Sequence, residues 1–259
     1  MPRAMLEGTL RQQRDAGRKL LVPYVTGGLG PDWVATLEAV AAAGADAVEV
    51  GLPFSDPMMD GPIIQRASVQ ALAAGATAQG IIAALATADV AVPVVVMTYY
   101  NIVARMGHRR MAQLLSGAGV SGAIVVDLPV DELDGWAVEA DEAGVATVLL
   151  AAPTTPPERL KLIAGRARGF LYAVGLMGVT GERDDLAASA AEIAQRCKVA
   201  TDLPVLVGVG ISTPAQAAAV SQVADGVAVG SALVHRILDG CGPDGAAQLV
   251  KEFRAALDG

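Results

Sequence analysis

Several scarcities in this 259-residue sequence exclude classes of protein. It has two cysteines, Cys197 and Cys241, too few for a disulfide scaffold or a cysteine-rich metal site, and we expect both to be reduced thiols. Aromatic residues make up only 3% of the chain, so its core must be aliphatic. Basic runs are missing and the formal net charge is −8, a balance that argues against nucleic acid as a partner.

Long apolar runs are missing as well. No stretch of about 18 apolar residues occurs, so we expect no membrane span. The segment from Met1 to Lys19 carries charges throughout, unlike a signal peptide, and we predict a cytoplasmic protein. Hydrophobic residues nevertheless account for 53% of the chain and charged residues for 18%. That composition predicts a large buried core and argues against disorder.

Short apolar runs recur along the whole chain, each bounded by Gly, Pro or Asp and rich in Val, Leu or Ile. This profile is typical of buried strands. The eight predicted strands are Leu20–Thr26, Asp46–Gly51, Pro93–Tyr99, Gly122–Leu128, Ala146–Ala151, Gly169–Val174, Pro204–Gly210 and Gly226–Gly230.

Segments with helical spacing separate the predicted strands, and several begin at a proline, as first helical turns do. They include Pro31–Ala43, Asp131–Glu142, Pro156–Ala164 and Pro214–Val220. Alternating strands and helices predict parallel pairing through crossover helices. An open doubly wound sheet is the alternative, but eight units that nearly fill the chain favour a closed barrel. We therefore predict an α/β fold: a single (β/α)8 TIM barrel over residues 1–259, with extra helices at the N-terminus, after strand 2 and before the last helix.

Glu49 stands in the second predicted strand between Val48 and Val50. Because side chains alternate along a strand, Glu49 should point into the barrel interior when the two valines point outwards. A carboxylate in an apolar interior is unfavourable unless it has a partner or a function. Two interpretations follow, a catalytic carboxylate or a structural ion pair with a nearby Lys or Arg.

The loop after this strand is fixed by prolines and carries two more carboxylates. Asp60 precedes Gly61-Pro62, where a helix should start, so it is either a helix N-cap or a catalytic group. Asp56, between Ser55 and Pro57, suits a turn.

Glycines follow the last three predicted strands. Gly178-Val179-Thr180-Gly181, continuing into charged residues up to Asp185, suggests a mobile lid or an ordinary surface loop. Gly208-Val209-Gly210 and Gly230-Ser231-Ala232 lie where barrel enzymes often bind phosphate. A helix over Ala232–Leu238 with Ser231 as its N-cap would direct free N–H groups at the anion.

Other kinds of catalytic site have little support in the sequence. His108 and His235 lack the spacing of metal ligands, and no Ser–His–Asp order is supported. Only Lys19 adjoins a predicted strand, at its N-terminal end, so a Schiff-base lysine is not indicated. The predicted chemistry is proton transfer by carboxylates.

The stretch from Glu49 to Pro57 and the triplet Asp60-Gly61-Pro62 closely resemble the signature of the tryptophan synthase alpha chain family. The Gly178–Gly181 loop and the Gly230-Ser231 turn match in order and separation, and the resemblance covers essentially the whole chain. It implies retro-aldol cleavage of indole-3-glycerol phosphate to indole and glyceraldehyde 3-phosphate, without a metal.

The resemblance also implies roles for residues at matching positions. Glu49 would protonate indole C3 and accept the glycerol hydroxyl proton, while Asp60 would bind the indole N–H and stabilise positive charge on the ring. Tyr172 would lie near the substrate, and Thr180 would lock the lid onto Asp60. Phosphate would be bound by Gly181, Gly210, Gly230 and Ser231. Indole would pack among Tyr24, Ile64, Met97, Tyr99, Ile124 and Leu150.

A partner is implied too, namely a beta chain that carries pyridoxal phosphate and consumes the indole in an alpha2beta2 assembly. No cofactor is expected in this chain. The residues that resemble the partner-facing side are Asp56, Pro57 and Asn101. Two alternatives are a free-standing lyase that releases indole and an inactive barrel kept as an allosteric partner. Intact Glu49, Asp60 and Thr180 argue against the second.

The sequence departs from the family pattern at three places. Tyr24 stands where the family often has Phe, which adds a hydroxyl near the indole. Val209 replaces a common Phe before Gly210, and Gly175-Leu176-Met177 makes the approach to the lid more apolar.

Overall fold

Eight parallel strands close into a barrel in the computed structural model, which describes residues 6–175, 183–208 and 210–259. Each strand pairs with the next along the chain, and β8 pairs with β1 to close the ring. The strands are β1 Leu20–Thr26, β2 Val48–Gly51, β3 Val94–Thr98, β4 Gly122–Val125, β5 Ala146–Ala151, β6 Leu171–Ala173, β7 Val205–Val207 and β8 Gly226–Val229.

Helices surround this barrel. They are α1 Leu6–Asp15, α2 Trp33–Ala42, α3 Pro62–Ala73, α4 Ala78–Leu85, α5 Tyr100–Met106, α6 His108–Gly117, α7 Asp134–Ala143, α8 Pro157–Arg166, α9 Arg183–Ala200, α10 Pro214–Val220, α11 Ser231–Leu238 and α12 Gly242–Asp258, with a short 3-10 helix at Val130–Glu132. The predicted barrel is confirmed, and so are the extra helices at the N-terminus, after β2 and before the last helix.

All eight predicted strands exist, but several are shorter than the apolar runs that predicted them. Pro204–Gly210 contracts to Val205–Val207, and Gly169–Val174 contracts to Leu171–Ala173. The connection between β3 and β4 also holds two helices, for which the sequence analysis gave no prediction. Gly107, whose φ is +86°, separates these two helices. Such a φ is accessible mainly to glycine.

Local sequence explains where individual helices start. α10 begins at the predicted Pro214 and has a capping box, in which the Thr213 side chain accepts from Gln216 N and the Gln216 side chain accepts from Thr213 N. The cap predicted for α11 is wrong. Ser231 is the first residue of that helix, and the N-cap is Gly230, with no side-chain hydrogen bond. The charged end of the predicted lid also differs, since Arg183 to Asp185 lie in the first turn of α9.

The core has two layers, and both are dominated by aliphatic side chains. One lies inside the barrel, where Val22, Val95, Ile124 and Val148 belong to the same buried cluster. The other lies between the barrel and the helices and includes Val48 and Val50. Interior residues therefore alternate with residues that face the helices, as expected for strands buried on both faces.

The amino-terminal end of the barrel contains buried apolar contacts and a buried ion pair that stabilise the fold. Leu6 and Leu10 of α1 close it from below, since both belong to the interior cluster. The buried Asp46 carboxylate accepts from Leu21 N at 2.8 Å and is paired with Arg18 and Arg254. A cleft of about 600 Å³ also opens at this end beside Ser121 and Arg168. Barrel enzymes carry their active sites at the opposite end.

Among the described residues, no single helix is long and apolar enough to cross a membrane. The helices α3 and α4, bent by 93° at their break, pass the test of length and composition only when they are taken together.

Candidate active site

Glu49 lies inside the barrel, as the alternation of β2 predicts. Its side chain is 1% exposed, and it stands in register with Tyr24 on one side and Val95 on the other. Within the described part of the chain, neither carboxylate oxygen has a hydrogen-bond partner, and no Lys or Arg forms a salt bridge with Glu49. The structural ion-pair interpretation therefore finds no support among those residues.

The surroundings of Glu49 favour its protonated form. Burial raises the pKa of its carboxyl to about 8, and the negative charge of Asp60 contributes in the same direction. A carboxyl whose ionised form has no hydrogen-bond donor or cation beside it retains its proton at neutral pH. Glu49 is therefore placed to donate a proton inside the barrel and to take one back afterwards.

Asp60 reaches the same region from the loop between β2 and α3. The N-cap of α3 is Gly61, so Asp60 does not cap that helix. Burial raises the pKa of Asp60 to about 6, and a hydrogen bond with Tyr99 acts in the opposite direction. At neutral pH Asp60 is thus mostly ionised while Glu49 is mostly protonated. Two carboxyls with pKa values on either side of neutrality can divide the roles of acid and charge stabiliser.

Tyr99 follows β3 and contacts the loop that carries Asp60. Its hydroxyl accepts from Met59 N at 3.0 Å, and its ring stacks on Phe54 with centroids 4.9 Å apart. The family resemblance predicted Tyr99 in the indole pocket, and Phe54 had no predicted role of its own. Nothing in the local periodicity predicts this contact, because 40 residues separate its partners.

The structure places most of the residues predicted to contact indole in two adjoining apolar clusters. Tyr24, Ile64 and Met97 share one cluster with Leu29, Ala67 and Val234. Met97 also packs in the barrel-interior cluster with Ile124, Leu150 and Tyr172. Met97 thus joins the two groups around the carboxyls. Burial and the negative charge of Glu49 both raise the pKa of Tyr172, which indicates that this phenol lies near the Glu49 carboxyl.

The predicted phosphate residues lie at the ends of β7 and β8. Gly210 has a φ of +85° and is exposed, and Ser231 is exposed at the first position of α11. The positive end of the α11 dipole therefore faces the mouth of the barrel. Gly181, Thr180 and Val209 lie outside the described residues, as do Leu176 and Met177.

The three residues predicted to face a partner surround the same mouth. Asp56 and Asn101 are exposed and Pro57 is partly exposed. Next to them on the loop, Met58 is 89% exposed and Met59 is 57% exposed. No pattern in the sequence had indicated a role for these two methionines. Large exposed apolar side chains beside a site are a signal of an interaction surface.

Among residues 6–175, 183–208 and 210–259, no three His, Cys, Asp or Glu side chains converge as metal ligands do.

Comparison with known proteins gives a consistent result. The family model for the tryptophan synthase alpha chain matches residues 10–257. The tryptophan synthase alpha chain of Thermobifida fusca is 42% identical over 98% of this chain and 96% of its own length. That of Streptomyces coelicolor is 45% identical over 95% of this chain and 91% of its own length.

Solved structures agree with the sequence relatives. Tryptophan synthase subunit alpha from Legionella pneumophila has a TM-score of 0.88 and 34% identity, covering 98% of both chains. A chain of Mycobacterium tuberculosis tryptophan synthase has a TM-score of 0.90 and 39% identity, again covering 98% of both. The family model, these relatives and the shared barrel confirm the resemblance, and the chain belongs to the tryptophan synthase alpha chain family.

Proposed function

We propose that this chain cleaves indole-3-glycerol phosphate into indole and glyceraldehyde 3-phosphate, with Glu49 and Asp60 as its catalytic carboxylates. Family membership provides the carbon–carbon lyase reaction. The observation that carries the assignment of residues is the separation of two pKa values in one barrel mouth, about 8 for Glu49 and about 6 for Asp60.

The proposed reaction needs one protonated and one ionised carboxyl. Glu49 donates its proton to indole C3, and Asp60 receives a hydrogen bond from the indole N–H as positive charge develops on the ring. The bond between C3 and the glycerol carbon then breaks, and its electron pair restores the indole. The hydroxyl on that carbon becomes the aldehyde of glyceraldehyde 3-phosphate and returns a proton to Glu49. Proton transfer by such positioned groups contributes about 10²–10⁴-fold each.

Substrate binding follows from the same arrangement. The indole ring is expected among Tyr24, Ile64, Met97, Tyr99, Ile124 and Leu150, with Tyr172 beside the reacting atoms. The phosphate is expected at Gly210, Gly230 and the first turn of α11 at Ser231, completed by Gly181, with Thr180 closing onto Asp60. Backbone N–H groups and a helix dipole stabilise such an anion without a cationic side chain.

We also propose the partner that the resemblance implies. A beta chain carrying pyridoxal phosphate would dock over Asp56, Pro57 and Asn101, where Met58 and Met59 add exposed apolar surface. The whole chain would act as one catalytic domain in a cytoplasmic alpha2beta2 assembly, with no cofactor of its own.

Steady-state release of indole from indole-3-glycerol phosphate tests this proposal. The purified chain should produce indole and glyceraldehyde 3-phosphate in equal amounts, and Glu49→Gln and Asp60→Asn should each lose most of the rate. Adding a family beta chain should accelerate the reaction by about 5- to 150-fold if its coupling resembles typical binding couplings. A high rate that no beta chain changes would favour the free-standing lyase, and no cleavage with or without a beta chain would overturn the proposal.

A further inference from the structure

The Tyr99 hydroxyl contacts the Asp60 loop at two consecutive residues. It accepts a hydrogen bond from the Met59 backbone amide at 3.0 Å, and it lies close enough to the Asp60 carboxyl to lower the pKa of that group. The ring beneath it stacks on Phe54, which belongs to the same loop. Tyr99 itself is buried directly after β3, so its contacts join this loop to the barrel.

The chemistry of a phenol determines how its hydroxyl can interact with both residues. A hydroxyl has one proton to donate, and the Met59 amide uses the oxygen only as an acceptor. The proton is therefore free to point at Asp60, where the ionised carboxylate is the stronger acceptor. A donor held in this way favours the charged form of Asp60, against the burial that disfavours it.

We propose that Tyr99 is a positioning residue for the reaction described above: its hydroxyl holds the Asp60 loop against the end of β3 and keeps Asp60 ionised for the indole N–H. The proposal rests on the proposed function and deepens it. It differs from the role of an indole-pocket wall, which needs only the ring of Tyr99.

Gln65, in α3, offers a comparison because it holds the same loop by a different contact. Its side-chain amide donates to the Asp60 backbone carbonyl at 2.9 Å. Gln65 thus holds the position of the backbone, since its side-chain amide donates to the carbonyls of Pro57 and Asp60 and forms no hydrogen bond with the Asp60 carboxyl. Among the residues that the structure describes, Tyr99 and Gln65 both hold this loop, and of these two it is Tyr99 that lies beside the ionisable group.

Tyr99→Phe keeps the ring that stacks on Phe54 and removes the hydroxyl. The experiment measures cleavage of indole-3-glycerol phosphate by the full chain between pH 5 and 9. We expect kcat to fall by about 10-fold with KM within about threefold, and the acidic limb of kcat/KM to move to higher pH by about half a unit or more. Tyr100→Phe is the matched control, because the hydroxyl of Tyr100 faces His108 at 3.1 Å. This variant should leave kcat and the acidic limb of kcat/KM unchanged.

Gln65→Ala distinguishes an effect on the position of the Asp60 loop from an effect on the ionisation of the Asp60 carboxyl. It should reduce kcat without moving the acidic limb. If Gln65→Ala shifts that limb as far as Tyr99→Phe does, or if Tyr99→Phe keeps the wild-type pH profile, the proposal is wrong.

Two further measurements keep the test independent of folding and of the substrate. If Tyr99→Phe does not fold, 3-fluorotyrosine at position 99 keeps the packing and makes the hydroxyl a stronger donor, so the acidic limb should move to lower pH. An unmoved or raised limb would overturn the proposal. Carboxyl ¹³C NMR, with Asp60 assigned from Asp60→Asn, should show the same displacements without substrate. If the wild type fails to cleave indole-3-glycerol phosphate, the proposed function fails while this titration still tests Tyr99.

Discussion

The Tyr24 hydroxyl occupies the space that a side chain at Gly51 would need. A Cβ atom on Gly51 would lie 1.8 Å from that hydroxyl oxygen and 2.4 Å from the ring carbon that bears it. Tyr24 stands in register with Glu49, so its side chain reaches two residues further along β2. The same relationship recurs between β6 and β7. Tyr172 stands in register with Leu206, and its hydroxyl lies 2.0 Å from where a Cβ on Gly208 would be. Both phenols thus lie over glycines at the mouth of the barrel.

This contact predicts that Gly51→Ala is damaging although the substitution is small. The Tyr24 ring must move, and overpacking of this kind typically destabilises by about 1–3 kcal/mol. Turnover should fall as well, because Tyr24 borders Glu49. Urea unfolding and indole release measure the two effects.

Gly8→Ala is the matched control for that substitution. Gly8 lies in α1 and a Cβ there would meet nothing within 4 Å. It should stabilise the chain by roughly 0.5–1 kcal/mol, because alanine favours a helix interior over glycine. Equal behaviour of the two variants would contradict the steric explanation.

The two pKa values predict a bell-shaped dependence of kcat/KM on pH. Activity needs Asp60 ionised and Glu49 protonated, so the acidic limb should fall near pH 6 and the basic limb near pH 8. Asp60→Asn should remove the acidic limb from any residual activity, and Glu49→Gln should remove the basic one. A profile that stays flat from pH 5 to 9 would show that these carboxyls do not control the reaction.

Local patterns in the sequence predicted parts of this site, whereas contacts between residues far apart in the chain could not be predicted from them. Alternation along β2 is a local pattern, and it placed Glu49 inside the barrel because a buried strand has a period of two. The contact between Tyr99 and Met59 joins β3 to a loop 40 residues earlier, and no local pattern contains it. The helices α5 and α6 did leave a signal, a glycine between two stretches with helical spacing at Gly107. At Arg183 the prediction was wrong. Charges beside glycines suggested a loop there, but the helix α9 begins at this residue.

Asp46 should contribute strongly to the stability of the folded chain through its contacts at the amino-terminal end of the barrel. Its carboxylate pairs with Arg18 at 2.6 Å and Arg254 at 3.2 Å and also accepts from Leu21 N. Asp46→Ala leaves the Leu21 amide without its acceptor and removes one of the two carboxylates that pair with the buried Arg254, which keeps Asp258. The loss should reduce the free energy of unfolding by about 2 kcal/mol or more. Asp202→Ala is the control, because that carboxylate is 83% exposed in its ion pairs with Arg11 and Arg14. It should leave the free energy of unfolding nearly unchanged, because exposed ion pairs contribute little, and a comparable loss in both variants would contradict the role of Asp46.

Glu49 should make the folded chain less stable as the pH rises. Its pKa is about 8 in the folded chain against an ordinary value of 4.5, so between these pH values only the folded chain binds the proton. The stabilisation from that proton is present below pH 4.5 and is lost as the pH rises towards 8. Each pH unit in this window lowers the free energy of unfolding by about 1.4 kcal/mol.

A glutamine at position 49 cannot ionise, so Glu49→Gln should not show this loss of stability as the pH rises. Relative to wild type, its free energy of unfolding should increase by about 2–3 kcal/mol between pH 5.5 and pH 8, while turnover falls by about 100-fold or more. Urea unfolding at the two pH values measures the first effect, and indole release measures the second. The exposed Glu142 provides the control, because Glu142→Gln should follow the wild type in both. If Glu49→Gln and wild type lose stability in parallel as the pH rises, Glu49 is already ionised in the folded chain and is not the proton donor.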